Sequence, residues 1–561
     1  MNAPTSNLRT GGQVLVDQLR IHGVDTIFCV PGESYLASLD ALYDARDEIK
    51  LVVCRQEGGA AYMADAYGKL TGRPGVVFAT RGPGAANASL GIHTAHQDST
   101  PVILLLGQVA TYMLEREAFQ EVDFRNMFKP MAKWVAQIDD PARVPEMVSR
   151  AFHVATSGRP GPVVLALPED MQTARTEAAD GRRYTEIQPA PDAADMAALR
   201  GYLARAERPL AVVGGSGWDA AAVADFRTFI EANGLPVAAA FRRQDLFDNR
   251  HPNYAGDAGL GLNPPLAARL TEADVLLLVG AQMGEVLTGG YKRFGLPVPE
   301  QTLIHVAAGL DELARVYEPT LAINAGMKRF AAAAAAMAPV DGTRWRAWRA
   351  AAHEDHLANI EPPGAEGPVD LAKLMLWLGE RLPEDAILAN GAGNFSNWVH
   401  RFFPYKGFGT QLAPQSGSMG YGVPAGVAAR IVHPERVVVS ISGDGCFLMC
   451  GQEIATARQY GLAIVFIVVN NASYGTIRMH QEREYPGRVI GTDLVNPDFV
   501  ALARAYGLHG ELVEKTAEFA PAFERALAHD GPALIELRVD KEQISPRATI
   551  GGLRAAAEKK G

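Results

Sequence analysis

Two stretches of the chain decide the fold: residues 437–447 read VVVSISGDGCF, and residues 464–475 read IVFIVVNNASYG. Each begins with an apolar run of strand length and ends in glycine and small polar residues, as buried parallel strands followed by turns do. Because the carboxyl ends of parallel strands meet at one edge of a sheet, we expect Asp444 and Asn471 to converge there. The two stretches predict an α/β domain with a ligand site at that edge.

The residue types at this edge indicate a diphosphate held through a metal ion. The Asp444 carboxylate and the Asn471 amide oxygen are hard ligands that suit Mg²⁺ or Ca²⁺, and the backbone carbonyl of Ser473 is a candidate third ligand. Gly443 and Gly445 let the backbone approach a phosphate, and the helix that follows offers its N-terminal N–H groups. Two ordinary turns are the alternative interpretation. The pairing of Gly-Asp-Gly with Asn-Asn, 27 positions later, favours the metal–diphosphate site.

Outward from these stretches, short apolar runs alternate with helical patterns along the whole chain. The pattern predicts three doubly wound parallel-sheet domains, spanning residues 1–182, 190–345 and 365–561. Residues 182–195 and 361–364 are polar and proline-containing, as linkers are, and residues 58–70 form an amphipathic helical stretch. The predicted strands are Val24–Val30, Leu51–Cys54, Val76–Ala79, Val102–Leu106, Val163–Leu167, Leu210–Val213, Val237–Ala240, Val275–Val279, Ile387–Ala389, Val437–Ser442, Ile464–Val469 and Leu534–Val539.

The composition excludes several classes of protein. Of the 561 residues 48% are hydrophobic and 21% charged, and the net charge of −10 argues against a nucleic-acid surface. No apolar run reaches the ~20 residues that span a bilayer, and the polar start lacks the apolar core of a signal peptide. Four cysteines are too few for a disulfide framework. Cys446 and Cys450 are either a metal or redox pair or small packed hydrophobes. We expect a reduced, soluble, cytoplasmic protein.

The Gly-Asp-Gly and Asn-Asn pair resembles the signature of thiamine-diphosphate enzymes, and the chain as a whole resembles the catalytic subunit of acetohydroxyacid synthase and its relatives. The stretches that carry this resemblance are residues 55–61 (RQEGGAA), 82–84 (GPG), 118–123 (AFQEVD) and 417–422 (GSMGYG). The resemblance implies pyrimidine-binding, central and diphosphate-binding domains in that order. It also implies a homodimer or homotetramer, in which Glu57 and Asp444 reach one site from different subunits.

The cofactors that the resemblance implies are thiamine diphosphate and Mg²⁺. Glu57 would share a proton with the aminopyrimidine ring, although a glutamate at a helix start also stabilises the helix by itself. Met419 would hold the cofactor bent, and simple core filling is its alternative. The implied metal ligands are Asp444, Asn471 and Ser473. The implied cofactor-binding residues are Gly32, Glu57, Gly393, Asn394, Gly417, Met419, Gly443, Asp444, Gly445, Cys446, Asn471, Gly475 and Thr476.

Five further residues match positions near the substrate of the synthase. Gln120 is implied as a catalytic residue, and Gln108 would also face the reacting carbon, with surface glutamine as the bland alternative for both. His93 would be a general acid–base or a hydrogen-bonded structural histidine. His480 stands where the synthase has a tryptophan and would suit a more polar substrate. Glu33 replaces a small residue, and its carboxylate would repel a second anionic 2-oxo acid.

The central segment departs from the synthase in residues 280–285 (GAQMGE) and 305–308 (HVAA), where the synthase has an arginine and acidic residues near FAD. We therefore predict a protein without FAD. The predicted function is a 2-oxo acid decarboxylase and carboligase of acetolactate-synthase-like type, transferring an acyl or aldehyde unit through an enamine intermediate. The alternatives are a non-oxidative decarboxylase, a C–C hydrolase or lyase acting on a diketone, and a catalytically silent cofactor-binding subunit.

Overall fold

The computed structural model describes residues 8–365 and 367–559, which form two compact units that divide after Ile187. The first unit holds one six-stranded parallel sheet and the second unit holds two. The predicted fold class, three α/β domains with parallel sheets, is confirmed. None of the described helices combines the length and the apolarity that crossing a bilayer requires.

The first unit is built from buried β-branched and leucine-rich strands covered by helices on both faces. Its strands are β1 (Arg9–Thr10), β2 (Thr26–Cys29), β3 (Lys50–Val53), β4 (Gly75–Ala79), β5 (Val102–Gln108), β6 (Trp134–Gln137), β7 (Pro162–Pro168) and β8 (Arg175–Thr176). Its helices are α1 (Gly11–Ile21), α2 (Leu36–Asp44), α3 (Glu57–Thr71), α4 (Gly82–Asp98), α5 (Phe124–Phe128), α6 (Val144–Thr156) and α7 (Glu169–Thr173).

The strand order of this first sheet is β3-β2-β4-β5-β7-β6, while β1 and β8 form a separate antiparallel pair. Counted along the chain within the sheet, the order is 2-1-3-4-6-5. β2 therefore lies between β3 and β4, and the chain winds away from it in opposite directions. In a doubly wound sheet the crevice at such a reversal, outside the carboxyl ends of the strands, is where ligands bind.

Helix α3 corrects the prediction of an amphipathic stretch at residues 58–70. Every residue from 57 to 68 is buried, so the helix has no solvent face along most of its length. Small residues make this possible because they let α3 and α4 approach closely. A Cβ on Gly91 would overlap Ala61, and a Cβ on Gly58 would lie 3.2 Å from the Asn87 carbonyl oxygen.

The second unit begins with the second sheet. Its strands are β9 (Pro209–Val213), β10 (Val237–Ala240), β11 (Tyr254–Ala258), β12 (Val275–Val279), β13 (Thr302–Ala307) and β14 (Leu321–Asn324). The helices are α8 (Ala193–Arg205), α9 (Ala220–Asn233), α10 (Pro264–Glu272), α11 (Glu285–Thr288), α12 (Met327–Ala335) and α13 (Arg346–Asn359). The sheet order is β11-β10-β9-β12-β13-β14, or 3-2-1-4-5-6 along the chain, which differs from the order of the first sheet.

The third sheet completes the second unit. Its strands are β15 (Ile387–Asn390), β16 (Gln411–Leu412), β17 (Val438–Gly443), β18 (Val465–Asn470), β19 (His509–Val513) and β20 (Ala533–Arg538), followed by a hairpin of β21 (Gln543–Ser545) and β22 (Ala548–Thr549). The helices are α14 (Leu371–Arg381), α15 (Ser396–Phe402), α16 (Gly422–Val432), α17 (Asp444–Cys450), α18 (Ile454–Gln459), α19 (Gly475–Glu484), α20 (Phe499–Ala505), α21 (Thr516–Ala528) and α22 (Ile550–Glu558).

The order of the third sheet, β16-β15-β17-β18-β20-β19, is again 2-1-3-4-6-5 along the chain. β17 and β18 are neighbours, and Gly443 pairs in register with Val469. The loops that follow these two strands therefore start side by side. Pro363, Gly364 and Ala365, at and just past the predicted linker 361–364, line a cavity beside these loops. The domain boundaries proposed from the sequence stay predictions.

Candidate cofactor and substrate site

A cavity of about 300 Å³, here the first cavity, opens at the carboxyl edge of the third sheet. It lies at the reversal of strand order between β15 and β17, the position at which doubly wound sheets bind ligands. The segments after β15, β17 and β18 form its wall. The lining contains these residues singled out from the sequence: Gly393, Asn394, Gly417, Met419, Gly443, Asp444, Gly445, Cys446, Asn471, Ser473, Gly475 and Thr476.

Asp444 begins α17 and is buried, with its carboxylate held by two neutral donors. Its Oδ1 accepts from the Gly445 N–H at 2.9 Å, and its Oδ2 accepts from the Asn496 amide at 2.7 Å. Burial raises the pKa of Asp444, and nearby N–H groups, including those of Ala472 and Ser473, oppose that shift. The carboxylate therefore lies next to the loop that carries Asn471. No cation balances it among the contacts given for the described residues, which is the setting in which a bound metal ion would be most effective.

Asn496 connects the two loops, and sequence reasoning missed it. Its amide nitrogen donates to Asp444 and, at 2.9 Å, to the Asn470 side-chain oxygen. Its own Oδ1 is buried and has no partner in the described part of the chain. Asn496 precedes a proline, and the Asn-Pro pair carries only a turn signal. Asn496 lies 52 positions from Asp444 in the chain, and no local sequence pattern links the two residues.

The donor set suits a hard cation. In the parts of the chain that the structure describes, no three His, Cys, Asp or Glu side chains group as metal ligands. The oxygens that line the first cavity come instead from the carboxylates of Asp444, which is buried, and Asp540, which is exposed, and from amides, hydroxyls and the backbone. Asn471 is oriented by its own loop, since its Oδ1 accepts from the Ser473 N–H at 3.1 Å. Oxygen ligands with few charges are the pattern by which proteins hold Mg²⁺ on a phosphate.

Glycines keep the rest of the first cavity open. A Cβ on Gly445 would lie 2.5 Å from the Tyr474 ring, and one on Gly443 would lie 3.0 Å from the Phe395 ring. Gly393 and Gly417 have φ angles of 144° and 67°, which side chains rarely adopt. Each of these positions excludes larger residues for a local reason.

Asn394, Thr476 and Met419 give this wall its side chains. The Thr476 hydroxyl donates to Asn394 Oδ1 at 2.9 Å, and Asn394 donates to the Ile544 carbonyl at 2.9 Å. Met419 is partly buried and packs against the core of the third sheet while it lines the cavity. Gly475 starts α19, and a Cβ there would lie 3.2 Å from the Asn471 amide nitrogen.

The cysteines pack as hydrophobes. All four are free thiols and buried. The Cys446 sulfur accepts from the Gly420 N–H at 3.2 Å, and burial raises its pKa. Burial also raises the pKa of Cys450 to about 12. Protonated thiols are poor nucleophiles and poor metal ligands, so the redox or metal interpretation of this pair is not favoured.

In the first unit, Glu57 is the first residue of α3 and is buried at 8% exposure. Its Oε2 accepts from the Asn87 amide at 2.9 Å. Its Oε1 would lie 3.1 Å from a Cβ on Gly84. Glycine at position 84 therefore keeps space open at the second carboxylate oxygen. Gln56 caps the same helix by accepting from the Gly59 N–H at 3.0 Å.

Gly32 and Glu33 follow β2, at the reversal of strand order in the first sheet. A Cβ on Gly32 would lie 2.6 Å from the Thr80 side chain, so only glycine fits there. The Glu33 carboxylate pairs with Arg81 at 3.2 Å, and Arg81 also pairs with Glu169 at 2.6 Å. Arg81 thus offsets part of the repulsion that we expected from Glu33, and sequence reasoning missed this partner.

The remaining residues proposed near the substrate are placed differently from one another. Gln108 is buried, and both ends of its amide are engaged with backbone groups, those of Val122 and Val109, at 2.9 Å each. Gln120 has a φ angle of 63°, and its carbonyl accepts from the Gly82 N–H at 2.9 Å. His93 is exposed on α4 of the unit taken by itself.

His480 lies on α19 and lines a second cavity of about 680 Å³. The second cavity shares Gly393, Asn394, Gly417 and Thr476 with the first cavity, so the two adjoin. Its other wall comes from β11, the residues after it and the end of α13. His480 and the metal-binding candidates therefore face neighbouring spaces within the second unit.

Comparison with known proteins identifies the family. The thiamine pyrophosphate enzyme N-terminal TPP binding domain matches residues 9–127, the central domain matches 196–334, and the C-terminal TPP binding domain matches 391–537. Acetolactate synthase isozyme 2 large subunit of Escherichia coli K12 is 31% identical over 544 residues, covering 96% of this chain and 98% of that protein.

Two further relatives agree with this result. The acetolactate synthase large subunit of Parasynechococcus marenigrum is 33% identical, covering 96% of this chain and 88% of that protein. The acetolactate synthase large subunit of Lactococcus lactis is 30% identical, covering 98% and 96%. The resemblance noted in the sequence is confirmed, and the chain belongs to the thiamine pyrophosphate enzyme family, among the relatives of the acetolactate synthase large subunits.

Proposed function

We propose that the protein is a 2-oxo acid decarboxylase and carboligase that transfers an acyl or aldehyde unit to a second carbonyl compound. The observation that carries the proposal is the first cavity, where Asp444, Asn471 and the flanking glycines line one space at the strand-order reversal. When bound, thiamine diphosphate supplies an electron sink for a carbanion formed next to a carbonyl. The reaction is a transfer, which agrees with the synthase names of the relatives.

We assign Mg²⁺ to Asp444, Asn471 and the Ser473 carbonyl. Asp444 and Asn471 are already oriented by hydrogen bonds from Gly445, Asn496 and Ser473, so little side-chain order remains to be gained on binding. The unpartnered Oδ1 of Asn496 supports an additional polar occupant at this place. A divalent ion would favour the charged form of Asp444 against the effect of burial.

Glu57 is the residue that we assign to proton exchange. Asn87 fixes one carboxylate oxygen and the gap at Gly84 leaves the other open, so Oε1 is the atom that would hold the proton. We propose Gln120 as a neutral amide at the reacting centre. Its φ angle is 63°, and its carbonyl accepts from the N–H of Gly82, the first residue of α4. Met419, supported by the core of the third sheet, would position the cofactor rather than react.

The functional assembly that we propose is a homodimer or homotetramer in the cytoplasm. Glu57 and Asp444 belong to separate compact units, and the family resemblance implies that the two residues act together from different subunits. Four buried free thiols are in keeping with a reducing compartment. Sedimentation with and without cofactor measures the assembly, and a fully active monomer would contradict it.

We also propose that FAD is not a component. The loops at the carboxyl edge of the second sheet contact one another: Val213 bridges to Gly280, and the Arg243 guanidinium donates to the Gly215 carbonyl while it pairs with Asp245 at 3.4 Å. His305 bonds the Ala281 carbonyl at 3.0 Å. We expect the purified protein to be colourless, and a stoichiometric flavin absorbance band would contradict this.

The test of the proposed function is a product analysis. The protein, saturated with thiamine diphosphate and Mg²⁺, is incubated with 2-oxo acids, alone and with aldehydes or a second 2-oxo acid, and with diketones. Mass spectrometry then identifies the products. We expect carbon dioxide together with a ligated hydroxyketone or hydroxy-oxo acid, and we expect Glu57→Gln to form both at least ~10²-fold more slowly.

Each other outcome overturns the proposal in a distinct way. A free aldehyde with carbon dioxide would indicate a simple decarboxylase. A ring-opened or cleaved acid from a diketone would indicate a hydrolase. Cofactor binding by calorimetry with no product from any substrate would leave a silent cofactor-binding protein.

A further inference from the structure

The second cavity has an unbalanced positive charge. Five arginines line it, Arg242, Arg250, Arg401, Arg483 and Arg547. Among the described residues that line it, Asp257 is the sole carboxyl group, and one oxygen of that group has no hydrogen-bond partner. Burial raises the pKa of Asp257 to about 8, so this carboxyl group is mostly neutral at pH 7 and does not balance the arginines.

Two of these arginines are engaged in ways that account for them. Arg250 pairs with Asp248 at 2.8 Å and with Glu384 at 3.0 Å, so its charge is compensated. Arg242 is buried and donates to the carbonyl oxygens of Pro414 and Gly391. Arg250 therefore needs no ligand to balance its charge, Arg242 is held by backbone oxygens, and Arg483 is exposed on α19.

Arg401 and Arg547 differ from Arg250 because the partners that the structure gives them are neutral, and they differ from Arg242 because they share one partner residue, Asn359. Arg401 Nε donates to the Asn359 carbonyl at 2.6 Å, and an Arg547 terminal nitrogen donates to the Asn359 side-chain oxygen at 2.6 Å. Arg547 also donates to the carbonyls of Gly261 and Leu262. Asn359 thus holds two guanidinium groups in one place, where like charges repel.

One donor of this pair is unused. A terminal nitrogen of Arg401 is buried and has no hydrogen-bond partner in the described part of the chain. Burial and the charge of Arg547 lower the pKa of Arg401 to about 10, so it stays charged at neutral pH. A buried donor of a charged group that lacks a hydrogen-bond partner is unfavourable unless an anion accepts from it. Planar guanidinium groups are suited to the paired oxygens of carboxylate and phosphate.

We propose that Arg401 and Arg547 bind the anionic far end of the substrate, a carboxylate or phosphate group remote from the reacting carbonyl. The proposal rests on the proposed function, because it places the carbonyl in the first cavity. The two cavities adjoin through Gly393, Asn394 and Thr476. A volume of about 680 Å³ is far more than a three-carbon acid fills, so a longer anionic molecule would span both spaces.

The first experiment measures binding without catalysis. Inorganic phosphate and succinate are titrated by calorimetry into protein saturated with thiamine diphosphate and Mg²⁺, so that the diphosphate site is already filled. We expect both anions to bind in low salt, and Arg401→Gln or Arg547→Gln to weaken binding ~10-fold or more. Arg250→Gln is the matched control, and we expect less than a ~2-fold change because Asp248 and Glu384 already hold that arginine.

The second experiment asks which anion the substrate carries. A five-carbon 2-oxo dicarboxylate, its distal monoester and the analogue with a distal phosphonate are compared by kcat/KM. We expect an anionic member to exceed the ester ~10-fold or more through KM, and Arg401→Gln to shrink that ratio while Arg401→Lys restores part of it. The better of the two anions identifies the source of the oxygens.

Two results would overturn the anion site: equal use of ester and anions by the wild-type protein, or equal effects of Arg401→Gln and Arg250→Gln on anion binding. If no substrate is turned over, the proposed function fails instead. The calorimetric comparison still decides the anion site in that case, because it does not depend on turnover. Arg547 is exposed at the hairpin of β21 and β22, so its variant tests the proposal without disturbing the core.

Discussion

The first and third sheets have the same strand order, 2-1-3-4-6-5, yet they present different chemistry at the same topological place. In the first sheet the loops after β2 and β4 carry Glu33 and Arg81, which form an ion pair. In the third sheet the equivalent loops carry glycine-rich turns and Asp444, whose carboxylate has only neutral partners. The shared topology places the loops at one edge in each, and the loop residues decide whether that edge holds an ion pair or a carboxylate without a cation partner.

The largest effect is expected from Asp444→Ala, which removes the buried carboxylate from the crevice of the third sheet. We expect Mg²⁺-dependent binding of thiamine diphosphate to fall ~10³-fold or beyond detection, because the ion loses its charged ligand. Calorimetry with and without chelator measures this. Asp530→Ala, an exposed aspartate of the same domain, is the control. Unchanged affinity in the Asp444 variant would mean that the two crevices do not differ as described.

Glu57→Gln tests the first unit in the same way. We expect turnover to fall ~10²-fold or more with cofactor affinity changed only a few-fold, since the amide keeps the shape and loses the proton site. Steady-state rates and cofactor titration separate the two quantities. Glu48→Gln, a surface carboxylate paired with Arg20, should leave both unchanged. Normal turnover in Glu57→Gln would remove that residue from the reaction.

Asn496→Ala examines the bridge between the two loops of the third sheet. We expect cofactor affinity to fall ~10-fold, the usual weight of a residue that orients a metal ligand. Asn496→Asp should be worse than Asn496→Ala, because a carboxylate cannot donate to Asp444 and adds a like charge. If the alanine variant binds the cofactor as tightly as the wild type, the bridge does not orient the ligand.

The smallest effect is expected at Glu33. Its side chain is 65% exposed and already paired with Arg81, so Glu33→Gln should change KM for a 2-oxo acid by no more than ~5-fold. Substrate titration of the two proteins measures the change. A large fall in KM would instead support the strong repulsion expected from the sequence, and it would show that Arg81 does not compensate the charge of Glu33.

The third sheet was predictable because its decisive residues lie next to long apolar strands. Residues 437–447 and 464–475 predict both the strands and the loops that follow them. In the structure Asp444 and Asn471 line one cavity. Strands such as β11 and β14 were missed. Their sequences, YAGDA and LAIN, are short and contain residues with low strand propensity. Their place is set by pairing with neighbours in the sheet.

The missed parts of the site depend on contacts between distant segments. Asn496 reaches Asp444 from a loop with only a turn signal, and Arg81 meets Glu33 across 48 positions. Arg401 and Arg547 are 146 positions apart and share Asn359, so no local pattern unites them. Local sequence pattern therefore predicts the residues at the strand ends. The residues that orient those side chains or add charge beside them come from distant segments and are seen only in the structure.

The chain around residues 363–365 joins the second and third sheets and also lines the first cavity. Because this connecting segment is also part of the cavity wall, a molecule bound in the cavity would restrict access to the peptide bonds of the segment. When the cavity is occupied, the backbone beside Gly364 has less room to unfold locally. We therefore expect a protease to cleave this segment more slowly. Limited digestion at this segment thus becomes a reporter of cofactor loading that needs neither a substrate nor a chromophore.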